Sequence, residues 1–276
     1  MRMNFYELLA NREFDLEKEY ETLWVLFVEE ESILSRGIRY PLIEYIDSHY
    51  FRQLPFRGSF CSLKDLMTAL GIEKYPQISI DILLLFSELL LAVLPDTDTN
   101  LPVGYEKQKK VIIGNIDYIL EQTNHEIIMD ENKRKIIVEK NQLTTLAAEV
   151  VSDKSIAFDM IEYNHFALKG HLNEKRKLLA SIANFIEPIL KSNALQKGGY
   201  KVLQSDAGFV FNNFHIRHNN KDGAKKQDYV ASLSDYDLEE WYDRAYVIAM
   251  TVIIVNDYLS MSTEIVELKK NYTWRS

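Results

Sequence analysis

Along most of this chain apolar residues return every three or four positions, the spacing that gathers them on one face of an α-helix. Over residues 15–35 the apolar set is Leu16, Tyr20, Leu23, Trp24, Phe27, Val28 and Ile33, with Glu17, Lys18, Glu21, Glu29 and Glu30 mostly off the stripe. That pattern predicts an amphipathic helix. Pro41 is a good first-turn residue and predicts a second helix from Leu42 to about Phe51. Ser62-Leu63-Lys64-Asp65 has the form of a capping box, opening a short helix that ends at Gly71. The most apolar run, 78–94, holds Asp81 and Glu88 and stops at Pro95. A membrane span needs about 20 consecutive apolar residues, so this run predicts a buried helix. Residues 96–102 are a polar loop, and the helical period resumes over 104–122 through Val111, Ile112, Ile116, Ile119 and Leu120.

One stretch departs from the helical period. Glu126-Ile127-Ile128-Met129, a polar turn from Asp130 to Lys133, and Arg134-Lys135-Ile136-Ile137-Val138 read as a β-hairpin. It predicts a connector, 125–140, between an N-terminal helical domain (1–124) and a C-terminal helical domain (141–276). The hairpin is read as solvent-exposed, with a functional arm as the alternative. Helical segments follow at 143–151, 155–166 and 173–190. Gly198-Gly199 marks a break, and a further helix starts at Tyr200. Ser234, with Asp237 three residues on, is an N-cap for the last helix. That helix carries Leu238, Trp241, Tyr242, Ala245, Ile248, Ala249, Val252, Val255 and Leu259, a heptad-like stripe suited to a bundle core or a helix-mediated dimer. The fold class is therefore all-α, mostly a helical bundle, with one short β-hairpin near residues 126–138.

Composition narrows the classes. With 47% hydrophobic and 26% charged residues the 276-residue chain is globular, not disordered. Its 10 Gly and 6 Pro are too few for the many turns of a β-sandwich. A net charge of −9 means that any nucleic-acid contact must rest on a local basic island. The single cysteine, Cys61, cannot form an internal disulfide and reads as a packed core thiol in a reducing, cytoplasmic protein. Glu7, Arg12, Glu13 and Asp15 interrupt the N-terminal apolar residues, which argues against a secretory signal.

The chemistry concentrates in Phe211-Asn212-Asn213-Phe214-His215-Ile216-Arg217-His218-Asn219-Asn220. Extending the preceding helix puts Leu203, Ala207, Val210 and Phe214 on one stripe with Arg217 next, and Asn212, His215 and Asn219 on an adjacent face. An arginine at a helix end binds phosphate through two parallel hydrogen bonds, and a histidine transfers a proton near neutral pH. Together they are equipped to activate a ribose 2′-hydroxyl and to stabilise a phosphorane-like transition state. Lys221, Lys225 and Lys226, with Lys175, Arg176 and Lys177 elsewhere, supply positive charge. The structural alternative is a capping network, because Arg and His at a helix C-terminus are favoured by the macrodipole. His215 and His218 at i and i+3 have only Asp222 as a nearby acid, so no metal is expected. There is no phosphate-binding glycine loop, dinucleotide fingerprint, serine elbow or paired-cysteine motif, and no cofactor is expected.

This order of helix, Asn-rich Arg-His cluster, polar loop and long C-terminal helix resembles the HEPN superfamily, in particular the HEPN-like C-terminal domains of bacterial abortive-infection and phage-defence proteins. Residues 211–220 and Leu238-Glu239-Glu240-Trp241-Tyr242-Asp243 carry the resemblance, within about the last 120 residues. It implies an all-α bundle that dimerises through its C-terminal helices into a metal-independent ribonuclease site. Carried over, Arg217 binds the phosphate and His218 or His215 moves the proton. Asn212, Asn213, Asn219, Asn220 and Lys221 contact the RNA substrate. The family's histidine stands four to six residues after the arginine, whereas here positions 221–223 are Lys221, Asp222 and Gly223 and no His follows His218. Degenerate relatives serve as binding or regulatory modules. The expected protein is thus cytoplasmic, without a membrane segment, and either a defence ribonuclease or an inactive module binding a protein, nucleotide or nucleic-acid end.

Overall fold

The computed structural model describes residues 13–54, 57–94, 101–130, 132–217 and 229–272. Among the described residues it is mostly helical, 67%, with eleven α-helices and two small two-stranded antiparallel sheets, the architecture that the periodicity predicts. The chain divides into two compact units, Met1–Ile137 and Val138–Ser276, and the division falls within the second strand of the hairpin read as a connector.

In the first unit, α1 (Leu16–Trp24) starts where the Asp15 carboxylate accepts the N–H of Lys18. It continues as one π-helical turn, Val25–Glu29, and does not reach Ser35. A π turn displaces a carbonyl from the regular ladder. The buried Gln108 side chain meets this need by donating to the Leu26 carbonyl at 2.7 Å. The reason the helix stops is a hairpin that the spacing does not reveal: β1 (Ile33–Ser35) pairs with β2 (Ile38–Tyr40). Its two turn residues, Arg36 and Gly37, both have positive φ (50° and 80°), as a two-residue hairpin requires.

The following helices are α2 (Leu42–His49), α3 (Leu63–Ala69), α4 (Ile80–Val93) and α5 (Tyr105–Gln122). Ser62 caps α3 as expected and Ser79 caps α4, each accepting a backbone N–H. Phe86 on α4 anchors the core, with its ring 5.2 Å from Tyr20 and 6.4 Å from Phe27. Cys61, expected in the core, is exposed. It precedes the Ser62 cap and lies off the buried face formed by Leu63, Leu66 and Met67. Two further strands, β3 (His125–Met129) and β4 (Lys135–Glu139), form the predicted hairpin.

The second unit contains α6 (Gln142–Val150), α7 (Lys154–Glu162), α8 (Leu172–Lys191), α9 (Ala194–Lys197), α10 (Lys201–Asn213) and α11 (Asp235–Asn271). Ser234 and Asp237 complete a reciprocal capping box at the start of α11. Tyr242, Ala245, Ala249, Met250 and Val252 are buried in the unit's own core with Leu179, Ile182 and Ile186 of α8 and Ala207 and Phe211 of α10. The stripe that suited either a bundle core or a dimer is therefore bundle core. Among the described residues, α11 is the one helix long and apolar enough to cross a membrane by length and composition. A core helix of a globular unit meets the same criterion, and this face of α11 is such a core.

The first unit offers a sharp test of its packing. Gly104 begins α5 with φ of 96°, and an added Cβ would lie 2.3 Å from the Ser32 backbone oxygen. Gly104→Ala should lower the stability of this unit by about 2 kcal/mol or more, read from urea unfolding followed by helical circular dichroism.

Candidate functional site

The polar cluster is not a continuation of α10. The helix ends at Asn213, and Phe214 to Arg217 form a turn. Two local features stop it. Asn212 and Asn213 turn their amide groups back to the Gly208 and Phe209 carbonyls of their own helix, at 2.8 and 2.7 Å. His215 then adopts a left-handed conformation, φ 58°, which non-glycine residues seldom take. The turn is closed by the Arg217 N–H donating to the Phe211 carbonyl at 3.2 Å. Phe214 and Ile216 are both buried, at 3% and 2% exposure, so the chain alternates inward and outward as an extended segment does. Phe214 stacks on Trp241 of α11, with ring centroids 4.4 Å apart.

The alternation places His215 and Arg217, both partly exposed, between the two buried side chains and beyond them. The predicted helical face linking Asn212, His215 and Asn219 is therefore not formed at His215. Arg176 on α8 donates to the His215 carbonyl and holds the turn from the helix beside it. The Arg217 guanidinium is only 12% exposed and forms an ion pair with Glu187 on α8. Its Nε–H has no acceptor among the described residues. Glu187 also takes Lys191 at 2.7 Å. Hydrogen bonds from Lys191 and then Arg217, outweighing the desolvation that opposes them, hold its carboxyl down to about 2. His218, Asn219, Asn220 and Lys221, the remaining predicted site residues, lie outside the described residues.

Of the charge expected from Lys175, Arg176 and Lys177, that of Lys175 is taken up inside the unit, while Arg176 and Lys177 stay exposed. Lys175 is 8% exposed and binds two carboxylates of α11, Glu239 and Asp243, each at 2.8 Å. Lys177 faces Glu174 at 3.8 Å. The Lys175 contacts belong to a polar network that sequence reasoning missed. The Tyr163 hydroxyl donates to Asp243 at 2.9 Å, and the Tyr163 ring stacks on Tyr246 at 4.2 Å. The Tyr246 hydroxyl donates to the Met160 carbonyl and accepts from Asn164, with Thr144 also in reach. Burial, then the charge of Asp243, raises the Tyr163 hydroxyl far above its ordinary value, and burial lifts Tyr246 to about 12. Glu239 is pushed up by burial. The Lys175 and Gly170 hydrogen bonds more than offset this, so its carboxyl is lowered. The one available signal was Glu239 and Asp243 at i and i+4, one face of a helix.

Other histidines serve locally. His165 caps a short turn by accepting the Ala167 N–H, and His125 bonds Thr123. Among the described residues no group of three or more His, Cys, Asp or Glu is arranged to hold a metal ion. A groove of about 580 Å³ in the first unit is lined by Trp24, Ile43, Met67 and Ile72, with Glu29 and Asp47 on it. Glu29 is paired with Lys74 and Asp47 accepts the Leu63 N–H, while Glu44, Glu73 and Lys64 also line the groove.

Lys175→Met should destabilise the second unit by about 2–3 kcal/mol, less than a fully buried pair because Asp243 is half exposed. The deficit in urea unfolding should shrink in acid, where the Glu239 carboxyl left behind takes up a proton. For Glu187 the folded value lies below the ordinary 4.5, so its contribution is complete above that value and lost as pH falls toward about 2. Arg217→Ala should move the Glu187 titration upward, seen by carboxyl-carbon NMR. Comparison with protein-family models, with curated proteins and with solved structures finds no match to this chain.

Proposed function

We propose that this chain is a HEPN-like defence protein of the abortive-infection type, a cytoplasmic, metal-independent RNA endonuclease whose arginine is held by Glu187 until RNA displaces it. The observation that supports this reading is the condition of Arg217. Its guanidinium is nearly buried, is tied to a single carboxylate, and keeps an Nε–H without an acceptor among the described residues. A phosphate presents two oxygens to a guanidinium edge, so it would take both the Glu187 position and the vacant donor. His215 or His218 would accept the proton of the ribose 2′-hydroxyl as that oxygen attacks the adjacent phosphorus. Arg217 would carry the charge that grows on the phosphoryl oxygens. The leaving 5′-oxygen would take up a proton, giving a 2′,3′-cyclic phosphate. Asn212, Asn213, Asn219, Asn220 and Lys221 would contact the RNA, and the protein would act as a homodimer.

A second reading, an inactive binding module, is favoured by the sequence after the arginine, where no histidine follows His218.

Purified full-length protein incubated with labelled RNA in EDTA separates the two. The nuclease reading expects cleavage, a fall of about 10²–10³ in rate for Arg217→Ala, a comparable loss for His215→Ala or His218→Ala, and a faster rate for Glu187→Gln. RNA bound without turnover, with binding lost in Arg217→Ala and kept in both histidine variants, would establish the binding module instead.

A further inference from the structure

The groove in the first unit joins two kinds of surface. Its apolar lining, Trp24, Val28, Ile43, Met67 and Ile72, is buried or half-buried. Its charged lining is exposed, with Asp47 half-buried, and so forms a rim above an apolar floor. The rim carries four carboxylates, Glu29, Glu44, Asp47 and Glu73, against two ammonium groups, Lys64 and Lys74. A volume of about 580 Å³ is ordinary for a small-molecule site.

Local structure holds these groups in place. The π turn Val25–Glu29 brings Val28 and Glu29 to the groove, and turns of this kind are frequent at functional sites. Trp24 Nε1–H donates to Glu29 at 3.1 Å, and Lys74 meets the same oxygen at 2.6 Å, so this part of the rim is fixed and neutral. The Tyr20 hydroxyl pins the Glu73 backbone by donating to its carbonyl at 2.7 Å. Asp47 uses one oxygen for the Leu63 N–H, at 2.6 Å. Among the described residues nothing pairs with the Glu44 or Glu73 carboxylate. With Glu29 and Lys74 set aside, three acids remain against Lys64.

That balance selects the occupant. An anion would meet an excess of carboxylates. A bare metal ion would leave the floor unused, and no described group of three or more acids, His or Cys is arranged to hold one. A neutral apolar molecule would cover Glu44 and Glu73 without answering their charge. A flexible organic cation satisfies both surfaces: its methylene segments leave water on the floor, its ammonium groups meet the rim carboxylates, and the Trp24 indole also attracts a cation.

We infer that the groove lined by α1, its π turn, α2 and α3 binds a linear polyamine. The inference rests on the first unit alone and is independent of the ribonuclease reading.

Titration calorimetry of the full chain with spermidine at low ionic strength tests it. Spermidine should bind at a single site with a dissociation constant of about 100 μM or tighter. Glu44→Gln and Glu73→Gln should each weaken binding about threefold, and together about tenfold. Lys64→Ala should tighten it about threefold. Thr68 lines the groove and is exposed, so Thr68→Arg should place a competing cation there and abolish binding. Glu121→Gln, an exposed acid outside the groove, should change nothing. Thermal melting of each variant should match wild type, which separates lost binding from lost fold. No binding of spermidine, or binding that survives both E44Q/E73Q and Thr68→Arg, would overturn the inference. So would magnesium ion competing at equal concentration, which reduces the effect to charge screening, or hexanediol binding as tightly, which reduces it to the apolar floor. A short peptide of alternating lysine and leucine that binds where spermidine does not would give the groove to a protein partner instead.

Discussion

The face of α11 that bears Tyr242, Ala245, Ala249, Met250 and Ile253 is buried by α6, α8 and α10, and the rest of the second unit depends on that burial. Each large apolar side chain taken out of water there contributes about 1.5–3 kcal/mol. Ala245 and Ala249, both fully buried, let neighbouring helices come close. Because α11 contacts every other long helix of the unit, its rotation about its own axis decides which of its residues remain for anything else. Trp241 is turned toward Phe214, and Glu239 and Asp243 toward Lys175.

Polar groups then fix the arrangement that hydrophobic burial leaves loose. Apolar contacts are non-directional, whereas a buried lysine must meet acceptors or lose its charge. Lys175 meets two, and Tyr246 joins Thr144, Asn164 and the Met160 carbonyl on α6 and α7. Sliding α8 or α7 by one turn would strand several of these groups at once. The candidate site inherits its position from this lock: Phe214 docks on α11, Arg176 and Glu187 reach the turn from α8, and Arg217 finds its partner only because α8 and the end of α10 lie side by side.

Much of this was legible from local chemistry. Most helices of both units, the Ser62 and Ser234 caps and the β3–β4 hairpin follow from short-range pattern, because period and capping involve residues within a turn or two of one another. The failures were local in origin but tertiary in cause. The π turn at Val25–Glu29 and the β1–β2 hairpin broke a helix whose spacing ran on to Ile33, and a helical extrapolation through Phe214 missed the turn at His215. In that turn, residues 214 and 216 are both drawn inward by the core, which overrides the helical period.

The sequence by itself determined that the protein is helical, where most helices begin, and that asparagine, histidine and arginine gather after α10. Only the tertiary structure decided what those residues face. It gave Arg217 to Glu187, and Lys175 to Glu239 and Asp243. The physical reason is range: helix formation and capping are settled between near neighbours along the chain, whereas the partner of a charge or an apolar face is chosen among groups tens of residues away, which only packing brings within reach.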